Sequence, residues 1–515
     1  MKVTRHRFFQ AAATATALVL SACGGGDNHG DDDSTPMIDA AVPVIDGAVP
    51  AIDADLTPDA DTSPDATPAP QTKNVIFFLG DGMGVATITA ARIFSVGEDG
   101  SLTMDTLPET GWVRTYSHDA LVTDSAPSMA AYMTGVKMNN EVISMTPETT
   151  AIRPGAGNTV NNCAANGANG APVVTFLEQA KAHGYATGVV TTTRVTHATP
   201  ATTYAHICHR DLENDIASQL VPGGANFNAA LADGIDVVFG GGRKHFLPTS
   251  AGGARTDGRD LTAELIAHGY TYAGSRADFD AIDPATATRA VGLFTASHMS
   301  YDLDRNPAVE PSLTEMSTKA LGILQKSGKP YFLMVEGGRI DHALHESNAK
   351  RALVDAVAFD NALKAVIEKA KQTDPDLEHT LIVVTADHDH TMVLNGYARR
   401  TGPTTPTNPG ILGLVKNVIT GAFDLDADGM PYTILGFGNG ESRVAGARSS
   451  VAALDETVTS ANNYHQEAAV LMPVGGETHG GTDVCIMATG KGSDAFHGFM
   501  TNTAVYGLLK AAVGF

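Results

Sequence analysis

NVIFFLGDGMG, residues 74–84, decides how the chain folds. Val75 to Leu79 is an unbroken apolar run with no polar alternation, and Gly80, Asp81 and Gly82 end it abruptly. A short continuous apolar run reads as a strand covered on both faces. The same design returns in ATGVVTTT (186–193), DVVFGG (236–241), YFLMVEGG (331–338), TLIVVTADHDH (380–390) and DVCIMATG (483–490). Between these runs lie amphipathic stretches: TFLEQAKAHG (175–184), PSLTEMSTKALGILQKSG (311–328) and HESNAKRALVDAVAFDNALKAVIEKAKQ (345–372). Apolar runs alternating with amphipathic ones predict an α/β body with a mostly parallel central sheet. Its active groups are then expected beyond the C-terminal ends of the strands. Residues 396–470 are richer in Gly, Pro and Thr and less periodic, so they read as an insertion in that body.

The N-terminus has a different purpose. Lys2, Arg5 and Arg7 precede an apolar run from Ala11 to Leu20, and LSAC ends at Cys23. This is an export signal, too short for a membrane-spanning helix. Arg5 and Arg7 are split by His6, which does not fit a twin-arginine signal. LSAC resembles a bacterial lipobox, so residues 1–22 would be the signal and Cys23 the lipidated first residue. Gly24, rather than Asp, favours the outer membrane of a cell that has one. Residues 23–72 form an Asp-, Pro- and Ala-rich stretch with no Lys, Arg or aromatic residue. Such a composition cannot bury a core and reads as a disordered tether. The tether carries eleven Asp, close to half of the net charge of −23. The charge therefore says little about the substrate, although it argues against a nucleic-acid backbone. Of four cysteines, Cys163 and Cys208 lie in polar, loop-like contexts and are expected to pair after export. Cys485, inside DVCIMATG, is expected as a free thiol in the core.

Several strands stop at a residue able to bind metal. Asp81 follows NVIFFLG, Glu336 follows YFLMV, and Asp387 and His388 follow TLIVVTA. One Asp at a strand end is an ordinary turn residue. Repeated acids and imidazoles at strand ends that share an edge suggest a metal centre. Asp341 and His345 in EGGRIDHALHES have the i, i+4 spacing that puts both on one helix face, suited to zinc. His342 is off that face, and His479 in ETHGGTD precedes the DVCIM strand. Ser125, in VTDSAPSMAAYMTG (122–135), stands where a loop enters a helix. That place suits either a cap or a nucleophile beside an anion.

DGMG, TDSA, HATP, EGGRIDHALHE, TADHDH and ETHGG occur in an order that resembles the alkaline phosphatases, from about Asn74 to the C-terminus. AYMTGVK, YAHICHRD, GGGRKHF, DGMPYTILGFGNG and YHQEAAV are similar to the animal-type enzymes. The resemblance implies a three-layer α/β/α domain over 73–515 with a crown-like region at 396–470, and a homodimer. It implies hydrolysis of phosphate monoesters with two zinc ions and one magnesium ion. Asp341, His345 and His479 would hold one zinc; Asp81, Asp387, His388 and Ser125 would hold the other. Ser125 would be the covalent nucleophile and Arg210 the clamp on phosphate, as its planar fork permits. Asp81, Thr199 and Glu336 would hold magnesium. His197 and His342 would stand just outside it, where the best-known bacterial enzymes carry Asp and Lys; that exchange weakens the case for tightly held magnesium. DLDADG (424–429) begins like a calcium loop, but Leu435 stands where a bidentate Glu is needed, so no such site is expected there. A sulfatase would need an arginine that TDSAPSMA lacks, and phosphodiesterases usually lack the Thr199, Glu336 and Arg210 group. A surface-anchored phosphate-binding lipoprotein remains the non-enzymatic alternative.

Overall fold

The computed structural model describes residues 73–164 and 170–515. The chain separates into two units, Met1–Asp65 and Ala66–Phe515. All the described residues belong to the second unit; the signal, Cys23 and the tether lie outside them.

Ten strands form the central sheet. In chain order they are β1 (Asn74–Gly80), β2 (Glu109–Arg114), β3 (Ala186–Arg194), β4 (Val237–Gly241), β5 (Thr271–Ala273), β6 (Ala290–Leu293), β7 (Tyr331–Gly337), β8 (Thr380–Thr385), β9 (Val484–Gly490) and β10 (Gly498–Thr501). They are arranged β10-β2-β9-β8-β1-β7-β3-β4-β6-β5. Every neighbouring pair is parallel except those made by β9, which runs antiparallel to both β2 and β8. The six helices that matter here are α1 (Val85–Val96), α2 (Ser125–Thr134), α3 (Phe176–Ala182), α4 (Leu313–Lys326), α5 (Arg339–His345) and α6 (Ala349–Ala370).

Strand β1 shows why its sequence carries no alternation. Phe77 meets Tyr132 of α2, ring centroids 5.7 Å apart, while the next residue, Phe78, meets Phe359 of α6 at 5.5 Å. Successive side chains point to opposite faces, and a helix covers each. Fully burying one such ring contributes roughly 1.5–3 kcal/mol, so both faces must be apolar. The helices begin where local chemistry starts them: Thr175 with Glu178 at α3 and Ser312 with Glu315 at α4 each form a reciprocal capping box.

A small separate sheet joins Met392–Leu394, which precedes the 396–470 region, to Leu435–Gly440 and Ala468–Leu471. Cys485 is free, but the expectation of a core thiol needs correction: it is only half-buried. It pairs in register with Trp112 of β2, whose other neighbour is the edge strand β10, so this side of the sheet is thinly covered. No helix among the described residues is long and apolar enough to cross a membrane.

Cys163 and Cys208 are joined by a disulfide, their Cα atoms 5.7 Å apart. It closes a loop of 45 residues and anchors the segment that leads two residues later to Arg210. Loops of that size lose enough denatured-state entropy for a bridge to stabilise by about 2–4 kcal/mol. Replacing both cysteines with serine should lower the unfolding free energy by that amount, read by denaturant titration. A disulfide-linked 163–208 peptide should appear in a non-reducing digest, and a bridge to Cys485 would contradict the structure.

Candidate active site

The C-terminal edge of β8, β1, β7 and β3 gathers the candidate residues. Leu79 of β1 is in register with Glu336 of β7 and Thr385 of β8, and Thr191 of β3 pairs with Glu336. The residues just beyond these positions therefore emerge together. Strand β9 runs the other way, so its N-terminal end lies at this edge. For that reason His479, which precedes β9, joins residues that come after the other strands. A two-residue ribbon pairs His479 with His390.

The DGMG turn after β1 requires its glycines. Gly82 has φ +67° and donates its N–H to Asp387 Oδ1 at 3.0 Å. A Cβ at Gly82 would lie 2.5 Å from the His390 ring, and one at Gly84 would strike Asp389 Oδ1.

Asp81, Glu336 and Asp387 have no exposed surface. Glu336 Oε2 accepts from Thr191 Oγ1 and, at 3.1 Å, from Thr193 Oγ1, yet its Oε1 has no hydrogen-bond partner. Asp387 Oδ2 also makes no hydrogen bond. Burial, then the charges of Asp341 and Glu336, pushes the Asp81 carboxyl well above its usual range. Burial and the charge of Asp81 raise Asp387, and burial with Asp387 nearby pushes Glu336 up to about 8. Uncompensated buried carboxylates cost several kcal/mol each. They call for cations.

The histidines are oriented to receive them. His388 places Nδ1 3.2 Å from the Asp389 carbonyl, and His479 places Nδ1 2.8 Å from the Thr123 carbonyl. His345 Nδ1 likewise faces the Glu477 carbonyl. A carbonyl only accepts, so each Nδ1 carries the proton and each Nε2 keeps its lone pair. The Nε2 atoms of His345 and His479 then face each other at 3.1 Å, with Asp341 Oδ1 3.3 and 3.5 Å away. His388 Nε2 lies 3.3 Å from Asp81 Oδ1 and 3.4 Å from Asp387 Oδ2. Lone pairs aimed at lone pairs at these distances fit a shared metal ion. Ligand atoms of Asp341, His345 and His479 cluster within 4.8 Å, as do those of Asp81, Asp387 and His388, and of Asp81, His197 and Glu336.

Ser125 is the first residue of α2 and is buried. Asp124 caps the helix, accepting from Ala126 N at 2.8 Å. The cap role is thus filled, and Ser125 Oγ is left 3.3 Å from His388 Nε2 and 3.4 Å from Asp81 Oδ1. The other oxygen of Asp81 is 3.4 Å from Thr199 Oγ1, so its two oxygens face two clusters. Arg210 donates from Nη1 to Asp124 Oδ1 at 2.9 Å and from Nη2 to His197 Nε2 at 3.0 Å. His342, next to the Asp341 cluster, turns instead toward His197, ring centroids 5.3 Å apart.

Sequence reasoning did not assign His390 or Glu477. His390 joins the Asp341 cluster, yet Nδ1 contacts Glu477 Oε2 at 2.6 Å and Nε2 contacts Asp341 Oδ1 at 2.8 Å. Burial opposes its charge, but Glu477 and Asp341 carry it up to about 10. With a carboxylate against each nitrogen, His390 orients Asp341 rather than offering a free lone pair as a ligand. The second His of TADHDH was the available signal. Nothing local marks Glu477.

A buried serine flanked by two acid–imidazole clusters at the parallel edge of a three-layer sheet defines a metal-dependent hydrolase. The alkaline phosphatase family profile matches residues 72–515. The chain belongs to the alkaline phosphatase family and is a phosphoric monoester hydrolase. It is 38% identical over 457 residues to the tissue-nonspecific alkaline phosphatase isozyme of Rattus norvegicus, covering 83% of this chain and 80% of that one. It is 34% identical over 473 residues to a membrane-bound alkaline phosphatase of Bombyx mori, covering 85% and 79%. The crystal structure of Thermus thermophilus alkaline phosphatase aligns with TM-score 0.61 at 25% identity, over 89% of this chain and 96% of that one.

Chelation should therefore destabilise the protein as well as inactivate it. A divalent cation restored at a hundredfold its dissociation constant should return about 2.7 kcal/mol per site. Thermal unfolding with and without chelator measures this, and an unchanged Tm would mean that no cation offsets the buried acids.

Proposed function

We propose that the enzyme cleaves phosphate monoesters by covalent attack of Ser125 on phosphorus. The observation that carries this reading is Ser125 Oγ itself, released from capping by Asp124 and placed between His388 and Asp81. Asp341, His345 and His479 would hold one zinc ion; Asp81, Asp387, His388 and Ser125 a second; Asp81, Thr199 and Glu336 a magnesium ion, with His197 beside it. The orphaned oxygens of Asp387 and Glu336 and the opposed imidazole lone pairs support that assignment. When bound, the ions supply Lewis acidity that lowers the Ser125 pKa and offsets charge on the leaving oxygen.

The chain's own groups account for the rest. The N-terminal end of α2 favours the anion. Arg210 turns its fork from Asp124 to two phosphate oxygens, with His197 steadying Nη2. Ser125 passes its Oγ proton to water and bonds to phosphorus as the P–O ester bond breaks, and the ester oxygen leaves as an alcohol with a proton returned by that water. Water then attacks the phosphoserine, freeing phosphate and returning the proton to Ser125.

Ser125→Ala should abolish the phosphoenzyme and most of the rate. Arg210→Ala should keep the phosphoenzyme and lose about 2–5 kcal/mol of the hold on a dianion, while a diester, with one fewer anionic oxygen, suffers less. The check is kcat/KM for an aryl phosphate and the matching diester, with zinc content measured. Full activity in Ser125→Ala, or equal loss of both activities in Arg210→Ala, would overturn the assignment.

Location and assembly belong to the same proposal. The LSAC signal and acidic tether support export and lipid anchoring at Cys23, in the periplasm or at the cell surface, and one relative is itself described as membrane-bound. Exposed Val470 and Leu471 at the end of the small sheet support a homodimer contact. Wild-type protein should sediment with membranes and Cys23→Ser should not. Mass spectrometry that finds an unmodified N-terminus downstream of Cys23 would rule the anchor out.

A further inference from the structure

Glu141 stands between the nucleophile and the phosphate clamp in a backbone conformation that suits Gly. Its φ is +70°, in the left-handed region. There the Cβ of any residue but Gly crowds a neighbouring carbonyl, and the conformation persists only where the surroundings over-determine it. Glu141 lies in the loop after α2, beside the residues that lead into Ser125 and Arg210.

Two hydrogen bonds use the backbone of this one residue. Its N–H donates to Asp124 Oδ2, and its carbonyl accepts from the Arg210 N–H at 2.8 Å. Peptide units are rigid planes, so only the φ and ψ of Glu141 set the angle between these two bonds. Asp124 in turn accepts with Oδ1 from Ala126 N at 2.8 Å and from Arg210 Nη1 at 2.9 Å. Arg210 is thus held twice by residue 141: at its backbone directly, and at its guanidinium through the Asp124 carboxylate. Neighbouring bonds fix the turn on both sides. Asn140 N donates to Asp119 Oδ1 at 2.9 Å, and Ile143 and Ile207 exchange backbone hydrogen bonds of 3.0 Å.

The Glu141 side chain does not account for the conformation. It is 40% exposed, and its Oε2 lies 3.8 Å from His209 Nε2, too far for a hydrogen bond. Burial, and then the charge of Asp124, raises its carboxyl above the usual range, so its charge gains no net support here. The backbone contacts to Asp124 and Arg210 do account for it. With the carbonyl kept on Arg210, a shift to negative φ would swing the N–H away from Asp124.

We propose that Glu141 is a positioning residue for phosphate: its left-handed backbone sets the angle between the Asp124–Ser125 segment and Arg210, and so fixes where the guanidinium fork meets the dianion. The proposal rests on the reading of Arg210 as the phosphate clamp. Because the backbone carries the role, Gly can fill it. A β-branched side chain, which resists positive φ, cannot.

Competitive inhibition by inorganic phosphate tests it, measured on the metal-loaded enzyme beside kcat/KM for an aryl phosphate and the matching diester. The variants are Glu141→Gly, Glu141→Thr, Glu141→Val, Arg210→Ala and the Glu141→Thr/Arg210→Ala pair, with zinc content and Tm showing that each is folded. Glu141→Gly should hold phosphate within about twofold of wild type and keep its Tm. Glu141→Thr and Glu141→Val should weaken phosphate by about tenfold or more, the scale of one hydrogen bond to a charged group. Either of them should lose more monoester than diester activity. The pair should lose no more than Arg210→Ala alone, because residue 141 acts through Arg210. Branched variants that bind phosphate as wild type does, while Arg210→Ala does not, would overturn this proposal alone. So would a Glu141→Gly protein that loses as much as they do, or losses that multiply in the pair. Normal phosphate binding by Arg210→Ala would strike the clamp reading itself, and this proposal with it.

Discussion

The structure depends on a concentration of negative charge that the protein alone does not neutralise. Asp81, Glu336 and Asp387 are sealed from solvent at one edge of the sheet, and two of them keep an oxygen with no hydrogen bond. Asp341, beside them, is held instead by His390. A fold that buries such groups forfeits several kcal/mol apiece unless cations enter. The same unmet demand makes the edge reactive. A serine hydroxyl placed among such groups would stand beside Lewis acids once metal ions fill the proposed sites.

Placement follows from the sheet. Four parallel neighbours, β8, β1, β7 and β3, end level with one another, so the residues after them reach a common point without long loops. The single reversed strand, β9, adds His479 from the opposite chain direction. Glycines at 82 and 84 let the turn after β1 pass against His390 and Asp389 where a Cβ would not fit. Arg210 comes from outside this frame, on a segment that the Cys163–Cys208 bridge fastens two residues earlier.

Much of this was legible in short windows. Runs such as NVIFFLG and TLIVVT announce strands covered on both faces, and the acids after them announce an edge with chemistry. Contacts between distant residues were not. Whether Ser125 or Asp124 capped α2 could not be decided from TDSAPS, since both residue types cap helices. His390 takes its role from Glu477, 87 residues away, with no local pattern to betray it. The half-buried state of Cys485 reflects how little lies beyond β2, a fact about the sheet's edge rather than about DVCIMATG.

The central claim is that the buried acids and opposed imidazoles exist to hold two zinc ions around Ser125. Anomalous diffraction from crystals of the metal-loaded protein, collected on either side of the zinc absorption edge, tests it most directly. The account predicts two zinc peaks, one about 2.0–2.2 Å from ligand atoms of Asp341, His345 and His479, the other at like distances from Asp81, Asp387 and His388. An active crystal with no zinc peak at either cluster, or with Ser125 remote from both, would contradict it.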